Sequence, residues 1–93
     1  MDDPTKEQLS ILIFVAGEGA SADIQIRTLS QLLTHHNHPA EALEVIDLNE
    51  TPEAAIEFDI LAIPTVLRLS PKPPVRIIGE LFDEERVWSV LSA

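Results

Sequence analysis

The sequence predicts an α/β domain with the element order β-α-β-α-β-β-α, and three observations carry this prediction. First, Leu9–Ala16 is an almost continuous apolar run, typical of a central strand with helices on both of its faces. Second, the chain between this run and the next strand is long enough for a helical crossover, which makes those two strands parallel. Third, Thr65–Leu69 and Val75–Ile78 flank a proline-rich turn and are close enough only for an antiparallel hairpin. A mixed four-stranded sheet with helices on both faces follows.

The first helix is predicted to begin at Ser21, whose hydroxyl would cap it, and to end at Asn37, His38 and Pro39. Apolar residues at near-helical spacing define the face that it buries, namely Ile24, Ile26, Leu29, Leu32 and Leu33. The second strand is predicted over Ala42–Leu48, where apolar and polar residues begin to alternate.

The second helix is predicted to start with Thr51 as its N-cap and Pro52 as its first residue, and to end near Phe58. The last helix is predicted to open at Asp83 and to carry an apolar face of Val87, Trp88, Val90 and Leu91. These elements make residues 9–93 a single domain, and residues 1–8 a flexible N-terminus.

Composition excludes several classes of function. The 93-residue chain has sixteen acidic and six basic residues, a net charge of −10, so nucleic acid and anionic membrane are unsuitable partners and a basic protein surface suits it better. The absence of cysteine excludes disulfides, thiolate metal sites and thiol redox chemistry. The N-terminus has no signal-peptide pattern, and the longest apolar run, Ile11–Ala16, is too short to span a bilayer. A cytoplasmic protein is therefore expected.

The loop after the first strand offers two possible sites. Ser21 is a possible nucleophile, but no His or Lys lies near it in sequence, so the capping role is favoured. The glycines of Gly17-Glu18-Gly19 suggest a phosphate loop, but no lysine follows and Glu18 would repel phosphate. We interpret this segment as a turn.

Two clusters of ionisable residues have a chemical and a simpler interpretation. His35, His36 and His38 could hold zinc, although solvent-exposed histidines at a helix C-terminus are the favoured interpretation. The acidic residues could supply an acid–base pair, although a solvated surface is favoured; they are Glu50, Glu53, Glu57, Asp59, Glu80, Asp83, Glu84 and Glu85. The sequence therefore predicts no catalytic residue, no metal site and no cofactor.

Several segments of the chain together form a recognisable pattern: Val15-Ala16-Gly17, Val45–Leu48, Pro52, Ile60–Thr65 and Pro73–Gly79, with Leu81. In these segments the chain resembles the KaiB family of circadian clock proteins. The resemblance covers about residues 9–91, and its most specific part is ILA-x-PT followed by PPVR-x-IG. It implies a thioredoxin-like fold, in which the bond before Pro64 is expected to be cis.

The resemblance also implies a function without catalysis. Family members bind the ATPase ring of the clock kinase KaiC, or of a KaiC-like hexameric ATPase, and modulate its phosphorylation cycle, with other clock components as possible partners. They are metamorphic: a tetrameric ground state rearranges the second half, and a monomeric thioredoxin-like state binds the ring. This chain stops at Ala93 without the longer acidic tail of clock members, which favours the thioredoxin-like monomer over the tetramer.

The predicted partner contacts lie in and after the second helix: Asn49, Glu50, Glu57, Asp59 and Ile60. The residues predicted to set the conformation are Pro64, Pro71, Pro73, Pro74 and Gly79. The chain departs from the family at Asp59, near which members usually carry a lysine. The alternative function is a redox-inactive thioredoxin-like adaptor in stress signalling without a clock role. An enzyme acting on peroxide or glutathione is disfavoured because the chain lacks the nucleophile.

Overall fold

The computed structural model describes residues 8–17, 19–79 and 83–93. Its strands are β1 (Ser10–Val15), β2 (Leu43–Asp47), β3 (Thr65–Ser70) and β4 (Val75–Ile78). Its helices are α1 (Ala20–His35), α2 (Glu53–Glu57) and α3 (Glu84–Leu91), and a 3-10 turn, Ala40–Ala42, precedes β2. The predicted flexible N-terminus, except Gln8, lies outside the described residues, as do Glu18, Glu80 and Leu81.

The sheet has the predicted topology, with the strand order β2-β1-β3-β4. Strand β1 runs parallel to β2 and antiparallel to β3, so Ile13 lies between Val45 and Val66. Strand β4 pairs with β3 as an antiparallel hairpin. The mixed sheet and the element order are therefore confirmed.

The two faces of the sheet carry separate cores. On the first face, α1 and α3 pack on alternate residues of β1; this cluster contains Ile11, Ile13, Val15, Leu29, Leu32, Leu33, Val87 and Leu91. On the second face, Leu12, Phe14 and Leu67 are buried beneath Phe58 and Ile60, which directly follow α2. Because β1 contributes to both clusters, the prediction of a strand buried on both faces is confirmed.

Two details of α1 differ from the prediction. The helix begins at Ala20 after an extended Gly19, so Ser21 lies inside its first turn and caps nothing. The predicted apolar face is confirmed at Leu29, Leu32 and Leu33, but Ile24 is 57% exposed and Gln25 is buried in its place. Neighbouring residues of a helix point about 100° apart, so one can face the core while the next faces solvent.

The other helix ends can be compared with the prediction one by one. Pro52 adopts a helical conformation just before α2, but Thr51 caps the helix through no side-chain hydrogen bond, so that prediction is wrong. The Asp83 carboxylate accepts from the Arg86 N–H at 3.2 Å, which confirms the predicted start of α3. Asn37 adopts a left-handed conformation and ends α1.

Candidate partner-binding surface

The carboxyl ends of β1 and β2 are joined by Asp47. Its Oδ1 accepts hydrogen bonds from the Gly17 N–H at 2.8 Å and from the Asn49 N–H at 2.9 Å. Gly17 has a φ of +78°, and a Cβ there would lie 2.9 Å from the Asn49 Nδ2. Asp47 thus fixes the loop that leads into α2, a role that the sequence analysis missed. Its signal is an acid at the carboxyl end of a strand whose parallel neighbour is closely followed by a glycine.

The segment after α2 is shaped by a Schellman-type helix end. Asp59 has a φ of +56°, and the Ile60 N–H donates to the Ala55 carbonyl at 2.8 Å. The Phe58 ring packs 5.4 Å from that of Phe14, and Ile60 is half-buried in the same core. Asp59 and Ile60 therefore have structural roles, and Asp59 is the one that presents its side chain to solvent.

The predicted contact residues lie along one continuous stretch, residues 49–63, which we call the α2 segment. Asn49, Glu50, Glu57 and Asp59 are exposed. The sequence analysis missed two apolar side chains of the same segment, Ile56 and Leu61, each 86% exposed, and the half-exposed Ile63. Their signal was an apolar residue in a short helix or in the loop after it, where the sheet offers no place to bury the side chain.

A groove of about 380 Å³ lies between β2 and α2. Its floor is apolar and its rim is acidic; the lining includes Leu12, Ala54, Phe58, Glu44, Glu50 and Glu57. Among the described residues that line it, none is a lysine or an arginine. Its charge and shape suit the aliphatic stem and cationic head of a lysine or arginine side chain from a partner.

The residues predicted to set the conformation lie at the two ends of the β3–β4 hairpin. Pro71, Pro73 and Pro74 form its turn, while Pro64 and Gly79 meet at the other end, where the Gly79 N–H donates to the Pro64 carbonyl at 2.9 Å. The bond before Pro64 is cis, as expected for the fold, and so are those before Pro71 and Pro73. Gly79 has a φ of +101°, which favours glycine.

The turn of this hairpin is also tied to α3 by a buried arginine. Arg68 is 1% exposed, and its guanidinium donates to the Pro73 carbonyl at 2.8 Å and the Leu91 carbonyl at 3.0 Å. The sequence analysis placed this residue in a strand without a role. Its signal was a single cation within an otherwise apolar strand, which must find acceptors when it is buried.

The two candidate sites in the loop after β1 lack the neighbouring groups that their chemistry would need. A cavity of about 210 Å³ adjoins Ser21 and Pro64, and the described residues that line it offer no histidine, lysine or carboxylate. The Gly17 N–H, which a phosphate loop would direct at its ligand, is already bonded to the Asp47 carboxylate. This contact supports the interpretation of the segment as a turn.

The histidines are less exposed than predicted. Only His35 is exposed, because the His36 ring stacks on Trp88 at 4.0 Å between centroids and His38 lies 5.5 Å from the same indole. Partial burial, with smaller contributions from His35 and His38, lowers the pKa of His36 below its ordinary value. Among the described residues, no three His, Cys, Asp or Glu side chains form a metal-binding cluster.

Comparison with known proteins places the chain in a family. A family profile described as KaiB domain matches residues 12–93. The chain belongs to the KaiB family. It is 36% identical over 84 residues to the circadian clock oscillator protein KaiB of Trichodesmium erythraeum, covering 90% of this chain and 81% of that protein. It is 37% identical over 82 residues to the KaiB of Nostoc punctiforme, covering 88% of this chain and 79% of the relative.

Solved structures show that this KaiB-family chain has a thioredoxin-like fold. Chloroplastic thioredoxin z matches with a TM-score of 0.71 at 19% identity, over 95% of this chain and 79% of that one. A malarial thioredoxin-2 matches with a TM-score of 0.72 at 18% identity, over 94% and 84%. At such identities the likeness concerns the fold alone. Within the described residues, no helix is long and apolar enough to cross a membrane.

Proposed function

We propose that this protein is a non-enzymatic, clock-type regulator that binds a KaiC-like hexameric ATPase and modulates its phosphorylation cycle in the cytoplasm. Membership of the KaiB family supports the class of partner. The observation that carries the proposal within this chain is the α2 segment, where Ile56 and Leu61 are 86% exposed beside Glu57 and Asp59. Exposed apolar side chains with charged neighbours are typical of a surface that a partner covers.

The contact is proposed to combine apolar burial with charge. Ile56 and Leu61 supply apolar area, and the groove beside α2 receives a lysine or arginine of the ATPase between Glu50 and Glu57. The acidic residues raise the association rate with a basic surface more than they raise affinity, and salt weakens this effect. Asn49 and Asp59 extend the same surface, and Ile60 supports it from the core.

The binding form is proposed to be the thioredoxin-like monomer. In this form residues 49–63 continue from the end of β2 into the hairpin, and Pro64 and Gly79 hold the two hairpin strands together at the end nearest the α2 segment. A tetramer with a rearranged second half is the competing state. The prolines of the turn, Pro71, Pro73 and Pro74, are proposed to influence the balance between the two states.

The test is complex formation with a purified KaiC-like hexamer and ATP, followed by size-exclusion chromatography over several hours. The double variant Glu50→Lys/Glu57→Lys should abolish most of the complex, because it reverses the charge of two carboxylates that line the groove. The matched control is Glu84→Lys/Glu85→Lys, which makes the same charge change on exposed residues of α3. Equal losses in both variants would show that net charge alone acts. No complex with the unmodified protein would overturn the proposal and favour the redox-inactive adaptor.

A further inference from the structure

Arg76 connects strand β4 to the end of α2. Its guanidinium donates through Nη2 to the Phe58 carbonyl at 2.5 Å and through Nη1 to the Asp59 carbonyl at 3.2 Å. The arginine lies on the exposed side of an edge strand, while its two acceptors belong to the segment that leaves α2. One side chain thus bridges the hairpin and the centre of the α2 segment.

These two carbonyls find no hydrogen-bond donor within the helix. The last carbonyls of a helix have no N–H group ahead of them to bond. The Schellman-type end of α2 uses the carbonyls of Ala55 and Ile56 for the N–H groups of Ile60 and Asp59, and it leaves those of Phe58 and Asp59 over. A forked guanidinium with two parallel donors suits two successive carbonyls. The sequence separates donor and acceptors by 17 and 18 residues, so only the fold brings them together.

The far end of the same segment is held by the hairpin as well. The Thr65 hydroxyl donates to the Ala62 carbonyl at 2.5 Å, and the Gly79 N–H donates to the Pro64 carbonyl at 2.9 Å. Residues 58–64 are therefore attached at both ends to β3 and β4. Leu61, the most exposed apolar residue of this stretch, lies between the two attachments.

We propose that Arg76 is a positioning residue for partner binding, one that holds the Asp59–Leu61 backbone in the conformation that the partner meets. This inference rests on the proposed function of the α2 segment and names the residue that shapes it. Fixing an exposed loop before binding lowers the conformational entropy that is lost in the complex, so affinity rises without a new contact. Arg76 acts through the carbonyls of Phe58 and Asp59 and need not touch the partner.

Charge and positioning predict opposite signs for the loss of this arginine. Acidic residues, Glu57 and Asp59, flank Phe58 in the sequence, and the proposed partner surface is basic. If Arg76 acted only as a charge, its removal would make the surface more acidic and would strengthen binding. If it positions the segment, its removal releases the Asp59–Leu61 backbone and weakens binding.

The experiment compares Arg76→Met with Arg86→Met, a matched control that removes the same charge from an exposed position of α3. Dissociation constants are measured by titration against the KaiC-like hexamer with ATP, and amide hydrogen exchange is measured on each free protein. We expect Arg76→Met to bind about fivefold more weakly, the equivalent of one ordinary hydrogen bond. Exchange should quicken at Asp59–Leu61 and stay unchanged in β1. Arg76→Lys, which keeps the charge and loses the fork, should fall between the two.

The outcomes separate this inference from the proposed function. If the unmodified protein binds and Arg76→Met binds as well as or better than Arg86→Met, the positioning role is wrong and the proposed function stands. Weaker binding without faster exchange at Asp59–Leu61 would also overturn it, because Arg76 would then be a direct contact. If the unmodified protein fails to bind the hexamer, both the proposed function and this inference fall.

Discussion

The two faces of the sheet differ in how much structure covers them, and we call the first face the thick face and the second face the thin face. The first is covered by α1, of 16 residues, and by α3, of 8, and among the described residues its cluster contains ten buried side chains, those of the helices included. The cluster on the second face contains three buried side chains, counted over the same residues, beneath the end of α2, a helix of 5 residues. A helix that short has no stability of its own and persists only through its tertiary contacts.

This difference separates stability from recognition. Segments with few buried apolar contacts open at a lower free energy than the core, so the second face should be the more easily rearranged one. The α2 segment lies on this thin face, and it presents Ile56 and Leu61 to solvent instead of burying them. The first face holds the molecule together, and the second leaves apolar surface available to a partner.

The largest effect is expected from Leu33→Ala, which removes a buried side chain from α1 on the thick face. The cavity and the lost burial should lower the free energy of unfolding by about 3 kcal/mol. Urea unfolding with an unchanged m-value is the measurement. Ile24→Ala, on the exposed side of the same helix, is the control and should change stability by less than about 0.5 kcal/mol. A similar loss in both variants would contradict the assignment of the faces.

The next effect is expected at the junction that feeds α2. Gly17→Ala combines a left-handed φ of +78° with a 2.9 Å approach to the Asn49 amide, so it should cost about 2 kcal/mol. Removing that amide in Gly17→Ala/Asn49→Ala relieves the close approach and leaves the backbone strain. The double variant should recover part of the loss in thermal unfolding, and a purely additive result would show that the approach is harmless.

A smaller and more local effect is expected from Phe58→Leu on the thin face. Phe58 is half-buried against Phe14, so its loss should cost about 1 kcal/mol. Amide exchange should quicken through α2 while the amides of α1 keep their protection. A uniform increase in exchange across both helices would mean that the two faces unfold as one unit, and the comparison would fail.

The smallest effect concerns the pH dependence of the thick face. Because the folded protein lowers the pKa of His36, the unfolded chain binds more protons. The contribution of His36 to stability is therefore fully present above the ordinary pKa of 6.5 and is lost as the pH falls below that value. His36→Gln should flatten the urea midpoint across this range, and His35→Gln is the control. Increasing stability at lower pH in the unmodified protein would mean that attraction of a charged His36 to Trp88 dominates.

The sequence predicted the features that depend on short local patterns. The continuous apolar run of β1 predicted a strand covered on both faces, and the two runs flanking Pro71 predicted the hairpin. Asp83 was predicted to cap α3 because its carboxylate accepts from the N–H of Arg86, which is close to it in the sequence. The family resemblance rested on segments of the same kind, and it was confirmed.

The predictions that failed concern the side-chain caps of α1 and α2, the exposure of Ile24 and the exposure of the histidines. Ser21 was misplaced because α1 begins at Ala20, and Ile24 was misplaced because its neighbour Gln25 is the residue that faces the core. The histidines were predicted to be exposed because nothing local reveals that Trp88 of α3 covers His36. Helix phase and ring stacking are settled by packing between distant segments, which short patterns do not contain.

The sequence by itself determined the element order and the mixed sheet, the absence of thiol chemistry, the acidic surface and the family. Composition and local periodicity suffice for these, because each depends on residue types or on neighbours along the chain. Only the tertiary structure decided that Glu50 and Glu57 share one groove, and that Arg76 closes the end of α2. The physical reason is that Arg76 lies 17 and 18 residues from its two acceptors, and that Glu50 and Glu57 line one groove only because α2 packs beside β2 on the second face of the sheet.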